Sequence, residues 1–335
     1  MKEYSSYPEL MIFTKELKGD ILNKIIESTR NNNYGWSTES CFLLNETKDK
    51  FQNEEANLNL WYSIFGKTNF LNIPDDKYPD KDVFINRIEK IQKHSGEEPR
   101  VIIAFLPQNN IQEISNASKN LLEKYEILPN FEIVCTNSKT GKDPKELIND
   151  TIVKAKNSGK RNVLVLSGRQ CSLGITIKNC DIVLLLNNNS SFDLIYQMMF
   201  RSMTERKDKK FGFVVDLNIH RVVEKTIAEY ATLIKPELHP KEAIRYLLTE
   251  KIVKLNGDHW KYSSEDICES IYKIYFSNTE GVLKTLLDRL KNKNPSLVSE
   301  DQKIVNLLFV GKISGKKKKE EREDLVKKGI EKEKM

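Results

Sequence analysis

The chain has 335 residues, of which 39% are hydrophobic and 30% are charged, and its formal net charge is +6. This length allows one large domain with extensions or two domains, and no apolar run is long enough to span a membrane. The first residues lack a secretory signal, and the five cysteines and four histidines lack the spacing of a metal site, so we expect a cytoplasmic protein with reduced thiols and no bound metal.

The positive charge is concentrated at the C-terminus. Residues 316–335 hold nine basic and six acidic side chains, so the rest of the chain is only mildly basic. Overall charge therefore permits nucleic-acid binding without indicating it. The run Gly315–Lys319 is either a phosphate-contacting or localisation segment or a solvated charge run, and the acidic residues that follow favour the second interpretation.

The first 99 residues have the least regular pattern. Pro8–Phe13 is a candidate strand, and helices are predicted at Glu16–Thr29 and Asp82–Lys93. The Asn-rich stretch 31–59 follows neither the helical nor the strand period, so we expect loops there.

From Arg100 onward, short apolar runs alternate with helical segments. Continuous apolar runs are typical of strands that are covered on both faces, and the alternation predicts a parallel sheet with right-handed crossovers. Strands are predicted at Val101–Leu106, Phe131–Cys135, Asn162–Ser167, Asp181–Asn187 and Phe211–Leu217, and helices at Ile111–Tyr125 and Arg221–Leu233.

Capping signals place further helices. Asp143, Pro144 and Glu146 have the spacing of an N-cap, a first-turn proline and a capping box. Ser190 with Asp193 is predicted to cap a helix at Phe192–Met203. After Pro236 we expect helices in HPKEAIRYLLTEKIV, in ICESIYKIYF behind a capping box at Ser263, and in VLKTLLDRL.

The segment NVLVLSGRQCSLGITIKNCDIVLLLNN, followed by SSFDLIYQMMFRSMTER, has the most functional content. It predicts a strand, a glycine-containing loop, a second strand and a cationic helix. This order puts polar and cationic groups at the carboxyl ends of strands, where open α/β sheets bind ligands. Ser167, Gly168 and Gly174 are small, and glycine lets backbone N–H groups approach phosphates and tolerates a positive φ. An ordinary turn would also explain the glycines alone.

Taken together, these segments resemble motifs V and VI of superfamily 2 helicases, which lie in the second RecA-like domain. The resemblance covers about residues 100–233. It implies that Ser167 and Gly168 contact nucleic acid and that Gly174 and Thr176 lie on the nucleotide side of the loop. The form QMMFRSMTE and the Asn-, Lys- and Ile-rich composition are similar to helicase-like proteins of large DNA viruses.

The motif VI pattern is Gln-x-x-Gly-Arg-x-x-Arg, and Gln197 and Arg201 fall on its first Gln and first Arg. The resemblance implies that such an arginine faces ATP, where a guanidinium can stabilise phosphoryl charge. This chain departs from the pattern, with Phe200 at the glycine and Thr204 at the second arginine. The finger is therefore Arg201 or Arg206, or the site is degenerate. Arginines near a helix C-terminus are also common surface residues that favour the macrodipole.

The segment RVIIAFLPQNNIQEIS resembles motif IV, which implies that Gln108 and Asn109 reach nucleic-acid phosphate or sugar. A plain capped turn explains it equally well. Gly66–Thr68 is not a phosphate loop, because the first glycine of that motif falls at Trp61 and no strand precedes it. Ile73–Asp76 likewise does not end an apolar strand, so it is not a magnesium motif.

These features predict an α/β fold, a RecA-like doubly wound parallel sheet with helical N-terminal and C-terminal extensions. Residues 1–99 would be a connector, 100–235 the lobe, 236–315 a helical extension, and 316–335 a disordered tail or frayed helix. The predicted function is the C-terminal motor half of an ATP-dependent helicase or translocase. It would bind ATP and Mg²⁺ only with a separate N-terminal helicase domain in cis or in trans.

Nucleic acid, DNA or RNA, is the expected partner through its backbone, and no membrane partner is expected. Two alternatives stay open. One is a non-catalytic nucleic-acid-binding or scaffold protein derived from a helicase. The other is a different doubly wound enzyme, such as a methyltransferase, but LPQNN after the strand Val101–Leu106 supplies no glycine-rich loop for it.

Overall fold

Seven short strands form one sheet in the computed structural model, which describes residues 7–14, 38–66, 84–94, 97–137, 141–172, 174–177, 179–206, 209–254 and 265–277. Every pairing in the sheet is parallel, and the strand order is β3-β4-β2-β5-β6-β1-β7. The strands are β1 (Glu9–Thr14), β2 (Arg100–Phe105), β3 (Phe131–Thr136), β4 (Asn162–Ser167), β5 (Cys180–Leu185), β6 (Phe211–Asp216) and β7 (Ile252–Lys254).

Helices cover both faces of this sheet. One face packs on the 3₁₀ turn Thr38–Phe42 and on α1, α2 and α3, whereas α4 and α5 pack on the other and α6 packs on α5. The helices are α1 (Glu54–Phe65), α2 (Phe84–Ile91), α3 (Ile111–Lys124), α4 (Pro144–Asn157), α5 (Phe192–Phe200), α6 (219–234, π-helical at Val222–Thr226), α7 (Pro240–Glu250) and α8 (Glu265–Ser277). The predicted α/β fold class is confirmed, and this is the architecture expected of a RecA-like lobe.

The centre of the sheet defines where a ligand can enter. From β2 the chain proceeds through α3 to β3 on one side, whereas from β5 it proceeds through α5 to β6 on the other side. The two connections leave on opposite faces, so a crevice opens between the carboxyl ends of β2 and β5. Such topological switch points are where open α/β sheets bind ligands. We call the side where the strands end the carboxyl edge, and the opposite side the amino edge.

Residues 38–66 correct the prediction of loops across 31–59. They form the 3₁₀ turn, an antiparallel bridge between Leu44 and Phe51, and α1. The asparagines serve as structural links: Asn53 caps α1 by accepting from Ala56 N, and buried Asn57 accepts from Trp61 Nε1 at 2.9 Å and donates to a carbonyl of the 3₁₀ turn. Periodicity missed this segment because its polar residues are caps and buried links.

The sheet is wider than the predicted lobe of residues 100–235. β1 lies before this range and β7 after it, and the two strands pair with each other. Contacts group the described residues as far as Tyr275 into one compact unit. The described parts of both predicted extensions therefore contribute to the lobe, since their apolar strands complete the sheet.

Local predictions differ from the structure at three helix ends. Asp143 caps α4 as predicted, by accepting from the backbone N–H groups of Lys145 and Glu146. Ser190 is not the cap of α5, because Ser191 holds that position without a side-chain hydrogen bond. α5 ends at Phe200 and continues as a 3₁₀ turn, and α7 ends before Ile252–Lys254, where β-branched residues form β7. The predicted helices at Glu16–Thr29 and VLKTLLDRL and the caps at Ser263 lie outside the described residues.

The five cysteines are free thiols, and burial raises the pKa of the Cys180 thiol to about 12, so this group stays protonated at neutral pH. Within the described part of the chain, no helix is long and apolar enough to cross a membrane.

Gly212 in β6 provides a test of the packing around α5. A Cβ at this position would lie 2.2 Å from the backbone carbonyl oxygen of Ser202, in the turn that follows α5. We expect Gly212→Ala to lower the free energy of unfolding by about 3 kcal/mol, because backbone must move to admit the methyl group. Urea unfolding measures this loss.

The matched control is Gly159→Ala. Gly159 has a φ of +70°, but a Cβ there would have no atom within 4 Å, so we expect a loss of about 1 kcal/mol from backbone strain alone. Equal losses for the two variants would show that the turn after α5 is not closely packed on β6.

Candidate functional site

A groove of about 340 Å³ lies at the crevice between the carboxyl ends of β2 and β5. Loops that follow the two strands form its polar walls, and the 3₁₀ turn with the residues after it forms an apolar wall. We call it the β2–β5 groove. Its lining residues are Glu39, Phe42, Leu43, Leu44, Pro107, Gln108, Asn109, Asn110, Ile114, Asn187, Asn188 and Asn189.

Side-chain amides hold the groove together. Asn187 Nδ2 donates to the carbonyl of Phe105 at 3.3 Å, which links the ends of the two strands. Gln108 Nε2 donates to Asn189 Oδ1 at 3.4 Å across the groove, and Glu39 Oε1 accepts from the backbone N–H of Asn188 at 2.8 Å. The loop after β5 is therefore anchored to both of its neighbours.

Arg221 also fixes the position of the loop after β5. Its guanidinium binds the Asp216 carboxylate through two bonds, Nε to Oδ2 at 2.9 Å and Nη2 to Oδ1 at 2.8 Å. It also donates to the carbonyls of Leu185, Asn187 and Asn189. Arg221 is 4% exposed and Asp216 is fully buried, so this fork lies in the core. A planar group with five donors suits such a task, and lysine has no equivalent geometry.

The structure brings only part of the predicted nucleic-acid set to this groove. Gln108 is half-buried and Asn109 exposed, and both line the groove. Ser167 is fully buried, and a Cβ on buried Gly168 would lie 3.0 Å from Ile111 Cγ1. Both residues thus pack against the start of α3 and the core in this structure, and their contact with nucleic acid stays a prediction.

The loop from β4 back to β5, residues 168–179, crosses the sheet without a helix in its described part; we call it the crossing loop. Ile175 and Ile177 are buried, whereas Gly174 and Thr176 are exposed. Gly174 has a φ of +70°, which agrees with the predicted need for glycine there. Gly174 and Thr176 thus lie on the surface of the loop, where a ligand can reach them.

Arg201 joins α5 to the crossing loop. Its Nη1 donates to the backbone carbonyl of Ile175, and its Nε donates to the carbonyl of Gln197 at 3.3 Å. The turn that begins at Arg201 packs on the first residues of β5 and β6, far along α5 from the carboxyl edge. The prediction that all polar and cationic groups gather at the carboxyl ends is therefore wrong for Arg201, because α5 runs back across the sheet.

The glycine position of motif VI holds a packed aromatic ring. Phe200 lies 5.8 Å from the ring of Tyr7 and 6.1 Å from that of Tyr196, measured between ring centroids. Tyr196 also packs against Tyr230 in α6 at 6.1 Å. The outer side of α5 is thus a ladder of aromatic rings that extends to the segment before β1.

Arg206 lies at the amino edge, where it contacts a buried carboxylate at the start of β5. Its Nη2 donates to Asp181 Oδ2 at 3.1 Å. Asp181 is 1% exposed, and Lys209 and Arg100 also lie within 3.6 Å of its carboxylate. In this structure Nη2 of Arg206 is engaged by the Asp181 carboxylate, and the role of Arg206 as an alternative finger stays a prediction.

The ion cluster holds the buried Asp181 carboxylate among three cations, one of which, Arg100, also pairs with Glu89 at 2.7 Å. Burial alone would raise the pKa of the Asp181 carboxyl, but the contact with His94 and the three cations outweighs it and lowers the pKa to about 2. Burial lowers the pKa of Lys209, whereas the Asp181 charge opposes that shift. Lys209 Nζ also donates to the carbonyls of Cys180 at 2.6 Å and Thr204 at 3.1 Å, which anchors the chain between α5 and β6.

Sequence reasoning missed Glu39, the asparagines after β5, and Arg221. A signal existed for two of them: NNN follows the apolar run of β5 directly, and Asp216 ends β6 five residues before Arg221. The sequence carries no such signal for Glu39, because this residue is remote in sequence and reaches the groove only through tertiary packing. Across the described residues, no cluster of His, Cys, Asp and Glu has the arrangement to hold a metal ion.

No protein-family model matches this chain, and no curated protein matches it. One solved structure that aligns with it is an ATP-dependent Type ISP restriction-modification enzyme, LlaBIII, bound to DNA, at 13% identity and a TM-score of 0.38 over 81% of this chain and 17% of that chain.

Two further solved structures align with the chain. The C-terminal domain of the DEAD-box protein Dbp5 is 10% identical, with a TM-score of 0.31 over 58% of this chain and 91% of that chain. The C-terminal part of the Fun30 ATPase domain is 11% identical, with a TM-score of 0.29 over 78% of this chain and 62% of that chain. The chain spans less than two thirds of LlaBIII and of the Fun30 structure. Because all three TM-scores are low, the fold assignment rests on the strand order and crossovers described above.

The ion cluster predicts a pH-dependent stability. Because the pKa of Asp181 is lowered in the folded state, the unfolded state binds the proton more tightly. The stabilisation by the Asp181 carboxylate is therefore complete above its ordinary pKa of 3.8, and it is lost as the pH falls through about 2. We expect Asp181→Asn to lower the free energy of unfolding by about 3 kcal/mol at pH 7, because it removes the carboxylate partner of buried Lys209. The difference from the parent protein should shrink below pH 4.

Urea unfolding between pH 7 and pH 2 measures this effect. Asp150→Asn is the matched control, since the Asp150 side chain is 71% exposed and its contact with Lys142 is 4.0 Å long. We expect this substitution to change the free energy of unfolding by less than about 0.5 kcal/mol at any pH. A stability difference for Asp181→Asn that stays constant down to pH 2 would rule out the ionised carboxylate as the source.

Proposed function

We propose that this chain is the C-terminal motor half of an ATP-dependent nucleic-acid helicase or translocase. The observation that carries the proposal is the bond from Arg201 in the motif VI segment to the Ile175 carbonyl in the motif V segment. This bond joins the two segments on which the resemblance rests, so a change at the nucleotide can be transmitted to the strand-contacting loop.

The side chains present fit a role toward ATP phosphates. Arg201 is half-buried, and no described hydrogen bond uses its Nη2, so one end of the guanidinium remains for an anion. Gln197 lies one turn before it, on the same side of α5. ATP and Mg²⁺, when bound, supply the hydrolysis that drives movement. In this proposal a separate N-terminal RecA-like domain holds them, and Arg201 and Gln197 face the phosphates from this lobe.

The carboxyl edge supplies the proposed contact with nucleic acid. Gln108 and Asn109 lie at the topological switch point, where we place the contact with the strand. The crossing loop presents Gly174 and Thr176 at the surface. We place Gly174 and Thr176 on the nucleotide side, as the resemblance implies. The same resemblance points to a helicase of the large-DNA-virus type that acts in the cytoplasm.

A second candidate function is a non-catalytic nucleic-acid-binding or scaffold protein derived from a helicase. The observation that favours it is the aromatic ladder, because Phe200 occupies the glycine position and packs against Tyr7. Thr204 replaces the second arginine, and its hydroxyl donates to the Arg201 carbonyl at 3.1 Å. A motif VI with one arginine, and with a packed aromatic ring at its glycine position, is compatible with a lost ATPase.

Nucleic-acid binding tests what the two candidates share. We expect weak binding of single strands that falls by an order of magnitude or more between about 50 and 200 mM salt, because several backbone phosphates release counterions. Fluorescence anisotropy with labelled DNA and RNA measures the dissociation constant at each salt concentration. Tight binding that ignores salt and depends on a particular base sequence would speak against a translocase.

The rate of ATP hydrolysis separates the two candidates. With an N-terminal RecA-like half supplied in cis or in trans, we expect Arg201→Ala to lower kcat by about 10³-fold or more while changing ATP affinity little, because a finger stabilises charge in the transition state. Arg201→Lys should recover little of the rate, since a point charge lacks the planar fork.

Arg206→Ala is the matched control for this measurement. It removes an arginine from the buried ion cluster, so it should lower stability and leave kcat within a few-fold of the parent. If neither arginine variant changes kcat by more than a few-fold, the motif VI assignment is wrong. If no ATPase is recovered with any N-terminal half, the scaffold function is favoured.

A further inference from the structure

We propose that the β2–β5 groove binds an unstacked nucleobase of a single nucleic-acid strand, and that it selects bases with an exocyclic amino group. This inference rests on the proposed nucleic-acid-binding function and changes the role of Gln108 and Asn109. They would contact a base instead of the phosphate or sugar.

The lining chemistry disfavours a phosphate inside the groove. Among its described lining residues are six amide side chains, one carboxylate and no lysine or arginine. Lys48 is a cation that contacts the lining from outside it. Its Nζ donates to Asn110 Oδ1 at 3.3 Å, so it lies against the end of one wall. A phosphate would face the Glu39 carboxylate without a compensating charge, whereas a base is neutral and offers donors and acceptors to amides.

The two kinds of wall match the two sides of a base. Phe42, Leu43, Leu44, Pro107 and Ile114 supply an apolar surface, and Leu43 is 54% exposed although it is a large hydrophobic residue. A base has an apolar ring face and a polar edge, so it can lie against the apolar wall and point its edge to the amides. The groove volume of about 340 Å³ is at the lower end of the range for small-molecule sites.

Two polar atoms in the groove have unused bonding capacity. Glu39 Oε1 is held by the N–H of Asn188, and no described hydrogen bond uses Oε2. A carboxylate oxygen accepts from the exocyclic amino group of cytosine, and thymine and uracil offer a carbonyl at that position. Asn189 Nδ2 is buried and has no hydrogen-bond partner among the described atoms, so it can donate to a ring or carbonyl acceptor.

The groove is preorganised. Arg221 holds the Asn187 and Asn189 carbonyls, and buried Asn57 ties the 3₁₀ turn that carries Glu39 to α1. A backbone fixed in this way loses little further freedom on binding, which favours discrimination between similar bases.

The test compares oligo(dC) with oligo(dU), each about 12 nucleotides long, which differ only at the exocyclic position and the adjacent ring nitrogen. We expect the chain to bind oligo(dC) about tenfold more tightly, as measured by fluorescence anisotropy, because the Glu39 carboxylate accepts a charge-assisted hydrogen bond. Glu39→Gln keeps the acceptor for Asn188 N and presents an NH₂ in place of Oε2. The ratio of the affinities for oligo(dC) and oligo(dU) should then fall from about ten to about one, or the preference should reverse.

Two controls identify the groove as the source. Glu55→Gln removes the same charge from an exposed position on α1 outside the groove, so the preference for oligo(dC) should persist. Gln108→Leu removes an amide from the lining at similar volume, and it should weaken binding of both oligonucleotides at an unchanged melting temperature. Retention of the oligo(dC) preference in Glu39→Gln, or unchanged affinity for both oligonucleotides in Gln108→Leu, would overturn the assignment.

The outcomes also separate this inference from the proposed function. If the parent chain binds both oligonucleotides with equal affinity, the base site is refuted while nucleic-acid binding stands. If it binds neither at about 50 mM salt, nucleic-acid binding fails and the base site fails with it.

Discussion

The carboxyl edge of the sheet depends on one buried ion pair, between Arg221 and Asp216. All bonds from the guanidinium go to the last residue of β6 or to the end of β5 and the loop behind it. Removing one member of such a pair costs about 3–5 kcal/mol, because the other is left charged in the core. The pair therefore fixes the loop after β5, and through this loop it fixes the shape of the β2–β5 groove.

The amino edge is closed by a different set of charges around Asp181, and the two edges have separate roles. The Asp181 cluster holds the chain between α5 and β6, whereas the Arg221 fork holds the loop before α5. α5 is thus fastened at both ends by buried cations. Arg201 lies between these anchors and contacts the one long connection that crosses the sheet without a helix, in the part of the chain that the structure describes. In the proposed motor, this arginine would be the link between the nucleotide and the crossing loop.

Most strands could be predicted from the sequence, because a covered parallel strand is a short continuous apolar run. The site could be predicted less well, for identifiable reasons. Gln108 and Asn109, which line the groove, could be singled out because they follow a strand directly, whereas Arg201 was singled out through the resemblance and its role stays a prediction. The contact between Arg206 and Asp181 could not be predicted, because Asp181 lies in a strand remote in sequence and a linear motif does not show such a pair. Glu39 and β7 were missed since their roles arise only from packing of remote segments.

Photo-cross-linking tests the central claim, that the carboxyl edge of this lobe holds a nucleic-acid strand. An oligonucleotide carrying a photoreactive thio-base would be irradiated with the chain, and the modified peptides identified by mass spectrometry. The account predicts adducts in the segments that contain Leu43, Gln108 or Asn188, and their loss when unmodified oligonucleotide competes. Adducts confined to the charged residues 316–335, or spread without preference over the surface, would contradict it.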